Sequence, residues 1–243
     1  MNKTAIVTGG SRGIGASIVS LLAEQGYNVV LNYNKSEEIA QKKQEELVAK
    51  GYLVENFKAD VSKREEAKKL VQFTLNKFHN IDVLINNAGI TQMKLFTDIT
   101  DQDWEHILKT NLNSVFYMCQ EVLPSMIHQK NGSIINISSI WGLTGASCEV
   151  AYSTSKAALN GFTMALAKEV GPSNIRVNAI APGIIQTQMN QFLTEKELKQ
   201  IIDEIPLQKI GKTQDIAKCI SWLIEDEYTT GQIISVNGGW LMA

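Results

Sequence analysis

The 243-residue sequence is poor in several things, and each shortage excludes a class of protein. Its three cysteines, Cys119, Cys148 and Cys219, lie far apart and in no CxxC pattern. Neither a disulfide framework nor a thiolate metal site is expected, and the thiols read as reduced. The three histidines, His79, His106 and His128, are isolated and show no metal-ligand spacing. No apolar run approaches the ~18 residues needed to cross a bilayer, so no membrane is expected. The net charge is −2 and the pI near 6.0, which argues against a broad basic field for nucleic acid. The chain reads into a strand almost at once, leaving no room for a signal peptide, and a cytoplasmic location is the expectation. No linker, repeat, low-complexity tract or second core interrupts it, so residues 1–243 are expected to form one domain.

What is present is alternation. Forty-four per cent hydrophobic and twenty per cent charged residues, in a chain this long, suit one large α/β domain. Thr4 to Thr8 reads as a strand and is followed by TGGSRGIG, Thr8 to Gly15. An amphipathic helix then runs to about Gln25, with Ile14, Ile18, Leu21 and Leu22 inward and Gly26 as its stop. A strand, a glycine-rich turn and a helix make a phosphate cradle, because bare amides and the positive helix end face the ligand. Gly9, Gly13 and Gly15 are spaced G-x-x-x-G-x-G, with Ser11, Arg12 and Ile14 between them. Strands at Asn28–Tyr33, Leu53–Ala59 and Ile81–Asn86 alternate with helices at Glu37–Lys50 and Lys63–Phe78. That order predicts a parallel sheet with helices on both faces.

Strand ends mark the ligand edge. The second strand closes on Tyr33, Asn34, Lys35 and Ser36, with no acid before Glu37. A carboxylate there would serve a ribose 2′-hydroxyl. Beside a 2′-phosphate it would cost roughly 4 kcal/mol per charge pair at 4 Å and an effective dielectric near 20. Arg12 and Lys35 would attract that phosphate instead, so NADP(H) is expected over NAD(H). The plainer reading leaves both as solvated surface cations. Asp60 and Val61 end the third strand where an adenine would lie. Asn86-Asn87-Ala88-Gly89 ends the fourth, either to let the chain pass close to a ligand or as a simple turn.

The centre of the sequence is SSIWGLTGASCEVAYSTSK, Ser138 to Lys156. Tyr152 and Lys156 are four apart and share a face if Ala151–Val170 is a helix. A nearby ammonium is expected to lower the phenol's pKa and let Tyr152 exchange a proton with a substrate oxygen. Ser139 follows the apolar run Ile134 to Ile137, so a strand there would deliver its hydroxyl to the same oxygen. A chance Tyr/Lys pair and an ordinary serine turn are the bland alternatives. Thr100 or Asp101 can cap a long helix containing Trp104, Ile107 and Leu108; Asn111 inside it is a mediocre helix former, or simply faces solvent. A strand at Ile175–Ala181 leads to Pro182-Gly183. The insertion from 184 to 206 carries Met189, Phe192, Leu198, Ile201, Ile202 and Ile205. It is either a flap over the substrate or a surface helix packed on the body. Thr213 is expected to cap a helix to about Leu223, and Gly231–Val236 to form a last strand.

TGGSRGIG, NNAG at 86–89, Asn111, Ser139, Tyr152-x-x-x-Lys156 and Pro182-Gly183, in order along the whole chain, resemble the short-chain dehydrogenase/reductase family. The resemblance implies a Rossmann-like, doubly wound, seven-stranded parallel sheet and a homotetramer paired through helices near Asp103–His128 and Ala151–Val170. It implies that Tyr152 is the acid/base, that Lys156 lowers its pKa and bonds the nicotinamide ribose, and that Ser139 positions the carbonyl. Asn111 would hold a water relay behind Lys156, and Pro182, Gly183, Ile185 and Thr187 would grip the nicotinamide. Within the family, the basic glycine turn and the tail PLQKIGKTQDIA…TTGQIISVNGG look most like the 3-oxoacyl-(acyl-carrier-protein) reductases of fatty-acid synthesis. The expected substrate is then an acyl thioester on acyl carrier protein.

Three departures qualify that resemblance. Two cleft-side arginines that dock the carrier correspond here to Lys130 and Ser173, which lose the bidentate fork or the charge. Glu149 stands where those reductases often have glutamine, and a carboxylate there favours a cationic substrate group. SSIWG and GASCEV also resemble the reductase of the aminopentanone modification on elongation factor P, whose substrate carries an amine. Glu149 facing solvent or pairing with a lysine is the alternative. A nucleotide-binding regulator without catalysis is the reading of a different class, and the intact Asn111, Ser139, Tyr152 and Lys156 set argues against it.

Overall fold

The computed structural model describes residues 2–190 and 193–242. Phe192 and the side chain of Met189, both named as flap residues above, lie outside that description. The described chain runs β1 (Thr4–Val7), α1 (Gly13–Glu24), β2 (Asn28–Tyr33), α2 (Glu37–Ala49), β3 (Val54–Lys58), α3 (Arg64–Phe78) and β4 (Val83–Asn86). It continues through α4 (Asp101–Leu108), α5 (Ser114–Gln129), β5 (Gly132–Ile137), α6 (Trp141–Thr144) and α7 (Val150–Val170). β6 (Ile175–Pro182), α8 (Glu195–Glu204), α9 (Thr213–Glu225) and β7 (Ile233–Val236) complete it.

The strands form one parallel sheet in the order β3-β2-β1-β4-β5-β6-β7. β1, β2, β4 and β5 are buried along their whole length, as strands covered by helices on both faces must be. One apolar layer packs Ile18, Leu22 and Leu31 with Ile216, Ile220 and Leu223; the other packs Leu70, Leu84, Met118, Ile134 and Leu159. Because every strand is parallel, all carboxyl ends lie on one edge. The strand order reverses between β1 and β4, and the crevice opened there is where ligands of such sheets sit.

One helix start differs from expectation and one agrees with it. Thr213 does not cap α9: it is the first helical residue, and its Oγ1 accepts a 2.6 Å bond from Ser17 of α1. Thr100 does cap α4, in a reciprocal box with Asp103. The expected single helix from Asp103 to His128 is instead two, joined by one wide π turn over Lys109–Asn113. Such a turn holds one residue more than an α turn and marks a local demand stronger than helix regularity. Here the demand comes from Asn111.

Candidate active site

The site grows from the carboxyl edge. At the end of β1, Gly9 has φ +62 and Gly13 φ +57, conformations that suit glycine. Gly15 sits so tightly that a Cβ would run into the carbonyl of Gly9 and lie 2.6 Å from Asn87 Nδ2. Asn87 donates from Nδ2 to the carbonyls of Thr8 (2.9 Å) and Gly9 (3.0 Å), and the Thr8 hydroxyl accepts from the amides of Asn87 and Ala88 at 3.0 Å. The end of β4 is thus stapled to the glycine turn. Thr8 was not singled out as a site residue, although it opens the motif. α1 begins with no side-chain cap, so its leading amides lack partners within the helix and face the crevice.

The catalytic side is built from buried polar groups. Lys156 is 4 % exposed and Ser139 7 %. Lys156 Nζ donates to the Ile137 carbonyl at 2.7 Å and stands 5.7 Å from the centre of the Tyr152 ring. Ser139 lies near enough to the Tyr152 phenol to lower its proton affinity, and the Trp141 amide donates to Ser139 Oγ at 3.2 Å. Gly142 packs against the backbone of Lys156, and Asn160 ties α7 to the same turn through Ser138 Oγ (2.7 Å) and the Gly142 carbonyl (3.0 Å). The sequence therefore brings Ser139, Tyr152 and Lys156 together, as their motif implied.

Asn111 joins them from another direction. It is 1 % exposed, not solvent-facing. Its Oδ1 accepts from the Ile90 amide (2.8 Å), and its Nδ2 donates to the Ile90 carbonyl (2.9 Å) and Ser155 Oγ (3.0 Å). Both amide hydrogens are spent, so the side chain fastens the loop after β4 to α7. The Cβ position of Gly89 has Asn111 Oδ1 at 3.3 Å and Lys156 Nζ at 3.5 Å. The glycine lets that loop pass beside the ammonium.

Burial is the largest influence on the proton affinities of both Tyr152 and Lys156. Loss of hydration pushes the Tyr152 phenol up to about 12; Ser139 pulls it back and the charge of Glu149 adds to the rise. Lys156 is itself brought down to about 8 by burial, its Nζ bonded to a neutral carbonyl. Both groups are held nearer their neutral forms because both are dry.

At the adenosine side, Tyr33 is 6 % exposed and packs into the core. Asn34 and Lys35 are exposed and Ser36 half-buried at that edge. Glu37, the first acid, is bound by Lys58 at 2.7 Å. The Asp60 carboxylate accepts from Ser62 Oγ at 2.6 Å, and Val61 is buried. Arg12 is exposed and donates to Gln188 Oε1 at 3.2 Å, while Thr187 lies 3.5 Å from the Cβ position of Gly13. The 184–190 segment therefore leans over the cradle. Gly183 packs against Asn237, the Pro182 carbonyl accepts from the Ile140 amide at 3.1 Å, and the Ile185 side chain is in the core. In α8, Leu198, Ile201 and Ile202 are half-buried, and Ile205 just beyond it is buried. A tight glycine turn with open amides, at the topological switch and beside a buried ammonium, fits a dinucleotide.

Lys130 and Ser173 are not cleft-side. Each stands two residues before a strand, β5 or β6, so both lie at the amino edge of this chain's sheet, opposite Tyr152; Asn174 donates to the Lys130 carbonyl at 3.1 Å. Glu149 is half-buried, and its carboxylate accepts from Thr91 Oγ1 at 2.8 Å. Burial raises its pKa, and the Thr91 bond lowers it.

Known proteins carry the same pattern. The family model for short chain dehydrogenases matches residues 3–198. The 3-oxoacyl-[acyl-carrier-protein] reductase FabG of Staphylococcus epidermidis is 43 % identical over 246 residues, covering all of both chains. That of Chlamydia trachomatis is 43 % identical over 244 residues, covering 98 % of this chain and 97 % of its own. An oxidoreductase of Bacillus subtilis, YmfI, is 42 % identical over 243 residues, covering 99 % of each. With fold, site order and these full-length relatives in agreement, the chain belongs to the short-chain dehydrogenase family.

Proposed function

We propose that this enzyme reduces a 3-oxoacyl thioester, carried on acyl carrier protein, to its 3-hydroxyacyl form with NADPH, in fatty-acid synthesis. The observation that carries the reading is the meeting of the Tyr152 phenol, the Ser139 hydroxyl and the Lys156 ammonium beside the glycine turn. The turn from Gly9 to Gly15, with Ser11, Arg12 and Ile14, would hold the pyrophosphate. Asn34, Lys35, Ser36 and Arg12 would meet the 2′-phosphate, with Glu37 neutralised by Lys58. Asp60 and Val61 would flank the adenine. Asn87, Ala88, Gly89, Pro182, Gly183, Ile185 and Thr187 would border the nicotinamide side, with Tyr152 and Lys156 facing its ribose. NADPH, when bound, supplies the hydride for the carbonyl carbon.

The residues do the rest. Ser139 donates to the carbonyl oxygen and keeps donating as charge gathers there. Tyr152 gives that oxygen its proton; a phenol held near 12 is fully protonated at neutral pH and so is ready as an acid. Lys156, charged below about 8, stabilises the phenolate left behind until a solvent proton restores it. Asn111 keeps Gly89 and Ile90 in place against Lys156.

The test is NADPH oxidation with an acetoacetyl thioester: turnover is expected, and its absence at any concentration would reject the substrate class. A lower catalytic efficiency with NADPH than with NADH would reject the cofactor preference. A cytoplasmic homotetramer accompanies this reading, with light scattering as its check; among the described residues, no helix is long and apolar enough to cross a membrane.

A second reading, reduction of an amine-bearing ketone such as the aminopentanone on elongation factor P, is favoured by one observation. Glu149 is half-buried beside Tyr152, where its charge is felt, and its side-chain partner is a neutral hydroxyl. Glu149→Gln should leave a neutral thioester nearly unaffected and weaken an amine-bearing substrate. Robust turnover of the modified elongation factor and none of the thioester would make this the function.

A further inference from the structure

The tail beyond β7 is built into the catalytic edge. Asn237 organises it: its Oδ1 accepts from the Gly239 amide (2.8 Å), its Nδ2 donates to the Leu241 carbonyl (2.8 Å), and its Cα and Cβ press on Gly183. Gly238 and Gly239 have φ +70 and +88, and their Cβ positions would lie 2.9 Å from Ile205 and 3.1 Å from Pro206. The Leu207 amide bonds the Gly238 carbonyl at 3.2 Å. The tail is thereby fixed to the foot of the 184–206 segment.

From this base Trp240 reaches two places. Its ring meets Trp141 edge to face, with centres 5.2 Å apart and planes at 69°, and its Nε1 donates to Glu204 Oε2 at 3.1 Å. Trp141 is the residue whose amide donates to Ser139 Oγ. A continuous chain of contacts thus runs from the last turn of α8 through two indoles to the hydroxyl that meets the carbonyl. Edge-to-face indoles, one of them anchored by its N–H, form a stiff wall.

We propose that Trp240 is a specificity-determining residue: with Trp141 it forms the wall that the acyl chain of the substrate meets beyond Ser139, and it limits how long that chain can be. The inference rests on the reading that Ser139 receives the ketone of a 3-oxoacyl thioester. Trp240 directly follows the Asn237-Gly238-Gly239 turn that fixes the tail to Gly183 and Pro206.

The experiment compares kcat and KM for an acetoacetyl thioester and a 3-oxododecanoyl thioester, at saturating NADPH, in wild type, Trp240→Ala, Trp240→Phe and Glu204→Ala, with melting temperatures as folding controls. Trp240→Ala should raise the long-to-short ratio of kcat/KM at least tenfold, through KM of the long substrate, while KM for NADPH stays put. Trp240→Phe keeps a ring against Trp141 and should hold the ratio near wild type. Glu204→Ala frees the ring and should shift the ratio in the same direction as the alanine variant, by about two- to fivefold, and it decides the matter if Trp240→Ala does not fold. An unchanged ratio in folded variants overturns the proposal, as does an equal shift in Trp240→Phe. Should the wild type turn over no 3-oxoacyl thioester, the functional reading fails; turnover with an immovable ratio sinks the wall alone.

Discussion

The two halves of the carboxyl edge handle polar groups in opposite ways. On the adenosine half, β1 to β3, charged side chains stand in water: Lys58 with Glu37, Lys63 with Glu66, and Arg12 against Gln188. On the catalytic half, β4 to β6, polar groups are dry and mostly neutral. Asn86 donates to Asn136 (2.9 Å) and Asn136 to Thr163 (2.9 Å), Ser138 to Asn160, Asn111 to Ile90 and Ser155, and Lys156 to Ile137. Water screens and replaces the first kind of contact, whereas the second kind has no substitute when a partner is removed. The adenosine half thus offers a ligand's charge exposed, replaceable partners, and the catalytic half holds its polar groups by buried bonds to one another.

The contrast is sharpest in the chemistry. Tyr152→Phe should lower kcat by about 10²–10⁴ while leaving NADPH binding nearly intact, measured by turnover and by nucleotide titration; wild-type turnover would remove Tyr152 from the mechanism. Next comes the buried network. Asn136→Ala strands Asn86 and Thr163 and should cost about 1–3 kcal/mol for each, read from denaturant midpoints. A loss no larger than that of an exposed pair would erase the distinction between the halves.

Lys156 gives the contrast a pH signature. Its folded pKa, about 8, lies below the ordinary 10.5, so from about 8 upward the unfolded chain binds a proton that the folded chain has released. Stability should therefore rise with pH from about 8 toward 10, beyond which the raised Tyr152 reverses the trend. Ketone reduction should fall over the same window as the ammonium is lost. Activity and stability profiles that move together would contradict this assignment. A smaller effect is expected on the wet side: Arg12→Ala with Lys35→Ala should weaken the NADPH preference by about tenfold or more, the worth of a lost charged hydrogen bond, without altering kcat on NADPH. Smallest of all, Lys58→Ala should leave the denaturant midpoint unchanged, because the pair it breaks is exposed.

Much of this was legible from residue order. β2 was bounded correctly because its apolar centre, Val29-Val30-Leu31, lies between the turn at Gly26 and the polar stretch that follows Tyr33. Ser139, Tyr152 and Lys156 were legible because a strand end and one helical turn fix their spacing. The π turn was not, since the apolar periodicity of 101–129 runs through it and the cause is a side chain hydrogen-bonded to Ile90, in a different loop. Nor was the neutralising of Glu37 by Lys58, or the contact of Trp141 with Trp240, because both partners are brought together only by the sheet. Lys130 and Ser173 were misplaced for a simpler reason: in a parallel sheet a residue just before a strand is at the amino edge, which their position relative to β5 and β6 already required.

The wide turn at Lys109–Asn113 is a one-residue surplus in an otherwise regular rod. Deleting a single residue there would heal the helix and make it more regular by every local measure. It would also remove the widened backbone that carries Asn111 toward the loop after β4. Asn111 would leave Ile90 and the loop beside Lys156 would lose its anchor. This stretch therefore tolerates substitution better than a change of length, and a shortened variant should still be helical while being catalytically silent.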